Sequence, residues 1–275
     1  MSEVARSAIS VVRTADELDA CLRVLRAHAQ TAAFVVDCEG VELGKSDASL
    51  CLLQIKPVGV KQIFIVDVVA LGRSAFTQTV RMSRRKAWSL ASLLESESTR
   101  KVFFDARMDM RALYREHGVR VRNVHDAQVV NIALSEFSAR PMRRTPGLMT
   151  TLRYFNGAEA ARIELLKARV TDAFDANPSA WRSRPLSADF IAYAANDCVA
   201  IETLFAALAA RVTRRFKSAP AHVISAFYAR ADAESTRRAE TLYADDADLS
   251  PEAMTRWRSA PPRREECGVE GAESM

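Results

Sequence analysis

The stretch Phe34-Val35-Val36-Asp37-Cys38-Glu39-Gly40 decides the fold, because it is an apolar run that ends in two carboxylates separated by one residue. In a β-strand alternate side chains point to the same face, so Asp37 and Glu39 share one face and Cys38 lies on the other. Two carboxylates on one face repel each other unless a positive charge lies between them. A strand end that frays into a polar turn also fits this stretch, so the rest of the chain must decide.

The size and composition of the chain favour a folded globular protein. Its 275 residues are enough for one large α/β domain or two small ones, and 49% of them are hydrophobic. We predict no membrane span, because no apolar run approaches the roughly 18 residues that a span requires. The N-terminus lacks the basic-then-apolar layout of a secretory signal. We therefore expect an intracellular protein, nuclear or cytoplasmic, that is not secreted.

Cysteine usage and charge give two weaker indications. The five cysteines are scattered and contain no C-x-x-C pair, which disfavours a disulfide framework and a thiolate zinc site and predicts reduced, mostly buried thiols. The net charge is +5 and arginine carries most of the positive charge, which favours a polyanionic partner. A basic excess of this size also occurs in proteins that bind no nucleic acid.

Short apolar runs separated by turns predict the strands of one sheet. We expect strands at residues 34–40, 49–56, 61–68, 101–104 and 124–126. The first three are joined by short connections, which predicts an antiparallel or mixed meander. After residue 100 the order strand, helix, strand, helix favours a parallel part of the sheet with helices packed over it.

Apolar residues at helical spacing predict the helices and the division of the chain. We expect helices near residues 15–30, within 83–99, and at 105–117, 127–134, 147–155, 158–167, 187–211 and 220–243. Residues 138–146 read as an Arg- and Pro-rich loop. Residues 245–275 are polar and poor in aromatic residues, so we expect them to be largely disordered. We therefore predict a main domain at residues 1–215, with its core at 30–210, and a helical extension and tail at 216–275.

Three polar residues on two predicted helices extend the pair of acids. Tyr193 and Asp197 are four residues apart on the long helix, so they lie on one face. Asp109 lies one turn into the helix that follows the fourth strand, where α/β folds present functional groups, and Asp105 is the expected N-cap of that helix. Each acid taken alone is explained by a cap or a solvated surface position.

Taken together, the four acids have the chemistry of a divalent-metal site. Mg²⁺ and Mn²⁺ prefer oxygen ligands, and two such ions neutralise four carboxylates. Two ions about 3.5 to 4 Å apart can clamp the attacking and leaving oxygens of a phosphoryl displacement. The acids therefore predict phosphodiester hydrolysis with two Mg²⁺ or Mn²⁺ ions as cofactors.

These motifs resemble those of the DnaQ-like 3′–5′ exonucleases, in the tyrosine-bearing DEDDy branch that includes ribonuclease D, the Werner-type exonuclease domain and Egalitarian-like proteins. The resemblance covers about residues 30–210. It is carried by residues 36–40 with Leu50 and Gln54, by residues 101–109 with Leu113 and 122–128, and by residues 184–186 with 193–197.

The resemblance implies a ribonuclease H-like α/β fold, with a mixed sheet of about five strands flanked by helices. It also implies a nuclease that hydrolyses single-stranded RNA or DNA from a free 3′ end and releases nucleoside monophosphates. By resemblance, Asp37, Glu39 and Asp197 would hold one metal, Asp37 and Asp109 the second, and Tyr193 would orient the attacking water. A tyrosine with a pKa near 10 is a weak base, which agrees with an orienting role.

Two residues depart from the family pattern, and other functions remain open. Phe104 stands where relatives often carry His, and Met108 where ribonuclease D-like members often carry an acid. Both departures bear on substrate handling rather than on hydrolysis. The alternatives are a catalytically silent, Egalitarian-like RNA-binding adaptor, because a fold does not fix activity, and a nucleotide-pocket protein with no polymer substrate. The choice between RNA and DNA is also open, as are protein partners.

The remaining candidates are weaker. Arg140, Arg143 and Arg144 could contact phosphates or form an ordinary solvated face. Phe103 and Phe104 read as sheet core rather than as platforms for bases. The histidines have no partner at metal-ligand spacing and are assigned no role: His28, His117, His125 and His222.

Overall fold

A computed structural model describes residues 8–45, 47–83, 86–138, 141–142, 144–177, 179–244, 247, 249–250 and 254. Its strands are β1 (Ala8–Val12), β2 (Phe34–Val41), β3 (Ser49–Pro57), β4 (Gln62–Asp67), β5 (Val80–Ser83), β6 (Lys86–Trp88), β7 (Lys101–Phe103) and β8 (Val124–Asp126). Its helices are α1 (Ala15–His28), α2 (Val68–Leu71), α3 (Ser74–Thr77), α4 (Leu90–Leu94), α5 (Arg107–His117), α6 (Ala127–Ser135), α7 (Leu148–Phe155), α8 (Gly157–Ala176), α9 (Ala188–Arg215) and α10 (Ala221–Glu240).

Six strands form one mixed sheet in the order β1-β4-β3-β2-β7-β8. β2 and β4 pair antiparallel with β3, whereas the β1–β4, β2–β7 and β7–β8 pairs are parallel. The predicted α/β class and mixed sheet are therefore confirmed. The sheet has one strand more than expected, because the short segment β1 pairs with β4 at the edge. β2 is the strand at which the antiparallel half of the sheet meets the parallel half.

Helices cover both faces of this sheet. On one face α1, α4 and α5 pack in a common core with Phe34 and Val36 of β2. On the other face α9 packs in a second core with Val35 of β2 and Val102 of β7. By length and composition α9 could cross a membrane, but more than half of its most apolar stretch is buried inside the protein, as in a core helix. The four cysteines within the described residues are buried free thiols, as predicted.

The predicted helix near the C-terminus is present as α10, which packs on β8, α5 and α6. Its Asp232 accepts a hydrogen bond from the guanidinium of Arg100 and lies 2.8 Å from Nδ1 of the buried His125. Phe227 of α10 is fully buried beside Phe137, which follows α6. The proposed division at residue 215 stays a prediction, and most of the expected disordered tail lies outside the described residues.

Two predicted helices have different bounds in the structure. Among the described residues of the region 83–99 only α4 is helical, because Trp88 belongs to the β5–β6 hairpin. The helix expected to end at Lys167 continues as α8 to Ala176. This longer α8 packs against α9, so it contributes side chains to the region of the predicted acids.

Candidate active site

Strand β2 presents two acids on one face of the sheet, as predicted. Asp37 and Glu39 are half-buried and face α9, and their carboxylate oxygens lie within 4.8 Å of each other and of an oxygen of Asp197. Cys38, between them, is buried on the opposite face in the core with α1 and α5. The frayed strand end considered from the sequence is therefore wrong, because β2 continues to Val41 with both acids inside it.

Gly40 is required by the close approach of β2 to β3. The register of this pair shifts between Glu39 and Gly40. A Cβ atom at Gly40 would lie 2.2 Å from the backbone oxygen of Ser49, a separation that no side chain tolerates. Only glycine therefore lets β2 lie this close to β3 at the register shift that follows Glu39.

Helix α9 brings the third acid to the pair. The hydroxyl of Ser187 caps its first turn by accepting a backbone hydrogen bond. Tyr193 and Asp197 follow on successive turns of one face. Asp197 is 5% exposed, and its Oδ1 atom has no hydrogen-bond partner among the described residues, while its Oδ2 accepts from Lys167.

The start of α5 positions the fourth acid, Asp109, and here one prediction is wrong. The N-cap is Ala106, not Asp105, whose φ is +60° and whose carboxylate binds Arg107 instead. The backbone amides of Asp105 and Ala106 donate to the carboxylate of Asp126 in β8, at 2.9 and 3.0 Å. Asp126 therefore fixes the turn from which α5 begins, 20 residues away in sequence.

Asp109 stands slightly apart from the other three acids. The described residues that approach one another within 4.8 Å are Asp37, Glu39 and Asp197, without Asp109. Asp109 is nevertheless the charged neighbour that contributes most to raising the pKa of Asp37. Burial raises the pKa of Asp109 to about 7, against a hydrogen bond from the backbone of Cys38. Three acids are thus in one group and the fourth is close enough to interact with it.

The carboxylates of this group repel one another in the absence of a cation. Burial raises the pKa of Asp37 and Glu39 well above their ordinary values, and the charge of neighbouring acids raises them further. Burial also raises the pKa of Asp197. The nearby charge of Lys167 opposes the shift at all three residues. The site therefore favours binding of additional positive charge.

The donor set fits a hard divalent cation. All three grouped side chains offer oxygen atoms, the ligands that Mg²⁺ and Mn²⁺ prefer, and Oδ1 of Asp197 is buried with no hydrogen-bond partner among the described residues. Within the part of the chain that the structure describes, no thiolate or imidazole ligand belongs to this group. The arrangement is consistent with the metal site predicted from the sequence.

Tyr193 lies beside the acids with a protonated phenol. Burial, and then the charges of Glu39 and Asp197, raise its pKa far above the usual value. The hydroxyl therefore stays a hydrogen-bond donor and does not act as a base. The face of its ring is 4.7 Å from Nζ of Lys167, and its edge packs against Trp181.

A cavity of about 250 Å³ opens beside the acids. Its lining residues are Glu39, Gly40, Val170, Thr171, Phe174, Trp181 and Tyr193. One side is therefore acidic and the other is largely aromatic and aliphatic. Such a cavity, with few polar groups at one end, has the character of a ligand-binding site.

Arg184, in the third sequence motif, fixes the aromatic wall of this cavity. Its guanidinium makes two contacts of 2.6 Å with the buried carboxylate of Asp67 at the end of β4. It also donates to the backbone oxygen of Trp181 at 2.8 Å. The loop that carries Trp181 is therefore tied to the end of β4.

Sequence reasoning missed the contribution of α8 to this region. Lys167, Val170 and Phe174 recur at helical spacing and line the site from one side, and Trp181 follows in the next turn of chain. The spacing of Lys167, Val170 and Phe174 is itself a signal of a shared helix face. The helix predicted from the sequence ends at Lys167, so it does not include Val170 and Phe174.

The weaker candidates have mostly structural surroundings. Phe103 is buried in the core, as expected, and Phe104 is half-buried. Arg144 is exposed, whereas Arg140 and Arg143 lie outside the described residues. His125 is buried and pairs with an acid of α10, and it is not a member of the metal-ligand group that the described residues form.

Known proteins resemble this chain in sequence and in fold. A family model described as 3′–5′ exonuclease matches residues 9–213. Among curated proteins, none matches the sequence significantly.

Several solved structures share the fold. Ribonuclease D of Trypanosoma brucei in complex with RNA U12 has a TM-score of 0.68 and 22% identity, covering 96% of this chain and 79% of that one. The catalytic core of RRP6 from the same organism gives 0.59 and 19%, covering 92% and 58%. Ribonuclease D of Escherichia coli gives 0.56 and 18%, covering 86% and 51%. The ribonuclease H-like exonuclease fold predicted from the motifs is therefore confirmed.

Proposed function

The chain belongs to the 3′–5′ exonuclease family, and we propose that it removes nucleotides from the 3′ end of single-stranded RNA or DNA by metal-dependent hydrolysis. One observation carries the proposal. Three carboxylates from β2 and α9 lie within 4.8 Å of one another beside a cavity with an aromatic wall. An acidic group of this kind with an adjoining cavity suits hydrolysis of a phosphodiester better than simple binding of a polyanion.

The positions of the four acids suggest which metal ion each would bind. Asp37, Glu39 and Asp197 would hold a divalent ion, and Asp37 together with Asp109 would hold a second. Bound Mg²⁺ or Mn²⁺ would supply positive charge at the phosphate and acidify a water molecule. Tyr193, whose phenol stays protonated, would donate a hydrogen bond that orients this water.

The cavity beside the acids would receive the terminal nucleotide. Phe174 on its wall is half-buried and offers a ring on which a base could stack, a contact that is tolerant of base identity. Gly40 lines the cavity next to Glu39, so the sugar would lie beside the backbone at this point. The products would be nucleoside monophosphates.

The choice of RNA or DNA is part of the test. The Trypanosoma brucei ribonuclease D structure contains RNA, and the excess of arginine suits either polyanion. Discrimination between the two requires contact with the 2′-hydroxyl. We therefore propose a single-stranded 3′ end as the substrate and leave the sugar to experiment.

The decisive experiment uses single-stranded RNA and DNA labelled at the 5′ end. The protein is incubated with each in Mg²⁺, Mn²⁺ or EDTA, beside Asp37→Asn, and circular dichroism verifies that the variant is folded. We expect a ladder that shortens from the 3′ end in either metal, and no ladder in EDTA or with the variant. Tight binding without a ladder in either metal would contradict the proposal and favour an RNA-binding adaptor.

A second variant tests the role given to Tyr193. Tyr193→Phe removes one hydrogen-bond donor, and loss of one such donor in an active site typically slows turnover about 10²- to 10³-fold. Because the phenol is not assigned as a ligand, Mn²⁺ affinity should stay at the wild-type value in isothermal titration calorimetry. A loss of Mn²⁺ affinity would show that the orienting role is wrong.

A further inference from the structure

Helix α8 directs one cation, Lys167, toward the acids. The residues one turn before and after it on the same face, Ile163 and Val170, are buried in the protein. The side chain of Lys167 is only 23% exposed. Its direction is therefore set by the packing of α8 against α9, unlike that of a mobile surface lysine.

The ammonium of Lys167 lies among the functional groups of the site. Its Nζ atom is 3.2 Å from Oδ2 of Asp197 and 4.7 Å from the centre of the Tyr193 ring. Its charge also acts on Asp37 and Glu39, which share the acidic group with Asp197. The ammonium thus lies against Asp197, and its positive charge also offsets the negative charge of Asp37 and Glu39.

Arg162 shows that α8 has a separate anchor on the same turn of α9. Its guanidinium donates to Oδ1 of Asn196 at 2.6 Å, next to Asp197 in sequence, and also binds Glu159 within α8. Helix α8 is therefore held in place without the Lys167 contact. The ion pair between Lys167 and Asp197 is not required to dock the helix.

We propose that Lys167 is a positioning residue that holds Asp197 in the metal-free protein and competes with the divalent cation for its carboxylate. This inference rests on the proposed function, because it concerns the metal site of the nuclease. A metal ion would take Oδ1 of Asp197, which has no partner among the described residues, and the ammonium on Oδ2 of the same carboxylate places a like charge beside that ion. Lys167 then stabilises the metal-free protein and, by the same interaction, weakens the binding of the metal.

Two measurements on Lys167→Met test the competition without nucleic acid. In isothermal titration calorimetry with MnCl₂, the variant should bind Mn²⁺ at least about fivefold more tightly than the wild type, the lower end of usual coupling between sites. In EDTA, thermal unfolding of the variant should occur at a lower temperature, because the acids have lost their counter-charge. Saturating Mn²⁺ should then raise its Tm by more than that of the wild type.

Arg169→Met is the matched control. Arg169 lies on the same helix, and the substitution removes the same charge, but its partner is the exposed Asp189, 3.6 Å away and outside the acidic group. Its Mn²⁺ affinity should remain within about twofold of wild type, because an exposed charge beyond the site is largely screened.

The results separate the inference from the proposed function. Unchanged or weaker Mn²⁺ binding by Lys167→Met, with normal binding by the wild type, overturns the competition and leaves the nuclease intact. Absence of Mn²⁺ binding by both proteins overturns the metal site and the inference together. If Lys167→Met does not fold, the same titration is made on Lys167→Gln, which keeps a hydrogen-bond donor and removes only the charge. Tighter binding is again the expected result.

Discussion

At the level of one side chain, the buried carboxyl of Asp109 makes the stability of the protein depend on pH. Its carboxylate is 8% exposed, and burial raises its pKa from the ordinary 3.8 to about 7. The folded protein therefore binds this proton more tightly than the unfolded chain does. The protonated carboxyl of Asp109 therefore adds to the stability of the folded protein. This contribution is complete below about pH 4 and is lost as the pH rises through about 7.

Asp109→Asn should therefore stabilise the protein in EDTA at pH 8. A unit of pKa shift corresponds to about 1.4 kcal/mol, so we expect the free energy of unfolding to rise by about 2 to 4 kcal/mol. The dependence of stability on pH between 4 and 7 should become flatter. Urea unfolding at several pH values measures both effects. A variant less stable than the wild type at pH 8 would mean that the carboxylate is better compensated than its surroundings indicate.

The start of α5 shows how one element depends on another for its position. Asp126 accepts hydrogen bonds from the amides of Asp105, Ala106 and Gln128, so one carboxylate holds the turn before α5 and the start of α6. Asp109 lies in the first turn of α5. A change at Asp126 therefore reaches an acid of the site through the backbone.

We expect Asp126→Asn to lower both stability and cleavage. The amide offers one acceptor oxygen in place of two, so at least one buried backbone amide loses its partner, at a cost of about 1 to 3 kcal/mol. Cleavage of labelled RNA or DNA should fall because Asp109 is displaced. Thr14→Ala is the control, since it removes the N-cap of α1 at about 1 kcal/mol but leaves the site untouched. Wild-type cleavage by a destabilised Asp126→Asn would confine Asp126 to a structural role.

Local patterns could be predicted and distant partners could not. The capping box of α1 joins Thr14 and Glu17, which lie within one turn, so the local sequence is enough to specify it. The N-cap expected at Asp105 is wrong because Asp126, from the next strand, supplies the acceptor and Arg107 takes the Asp105 carboxylate. Which atoms meet across such a separation depends on the packed sheet, which a single sequence does not specify.

The same limit applies to the candidate site. Asp37, Glu39 and Asp197 could be placed together because strand and helix periods put them on faces, and family motifs put those faces at one site. Lys167 carries no motif, and its importance arises only from the packing of α8 on α9. Strand β1 was missed because its five residues gain their hydrogen bonds from β4, some 50 positions later.

At the scale of the whole molecule, α10 closes the parallel edge of the sheet. It packs on β8, α5 and α6, and its residue Phe227 is fully buried in a core shared with α6, α7 and α9. A core shared in this way indicates that residues up to 240 unfold with the rest of the protein. The predicted division at residue 215 would then mark an appended element rather than an independent unit.

Phe227→Ala tests this cooperativity. Loss of a buried phenylalanine side chain typically costs about 3 to 5 kcal/mol, and we expect one unfolding transition, shifted to lower urea, by both circular dichroism and tryptophan fluorescence. Leu165→Ala, at a position that is 75% exposed on α8, should change stability by less than about 0.5 kcal/mol. A second, separate transition in Phe227→Ala would indicate that α10 unfolds on its own.

The alternation of β2 has one more consequence, for chemical labelling. Cys38 lies between two acids of the site and Cys198 follows a third, and both thiols are buried. Burial raises the pKa of each well above its ordinary value, so neither sulfur reacts while the fold is closed. Alkylating reagents therefore reach these two sulfurs only when β2 or α9 moves away from its neighbours. The rate at which these two thiols are alkylated therefore measures how often the acidic site opens, with no added probe.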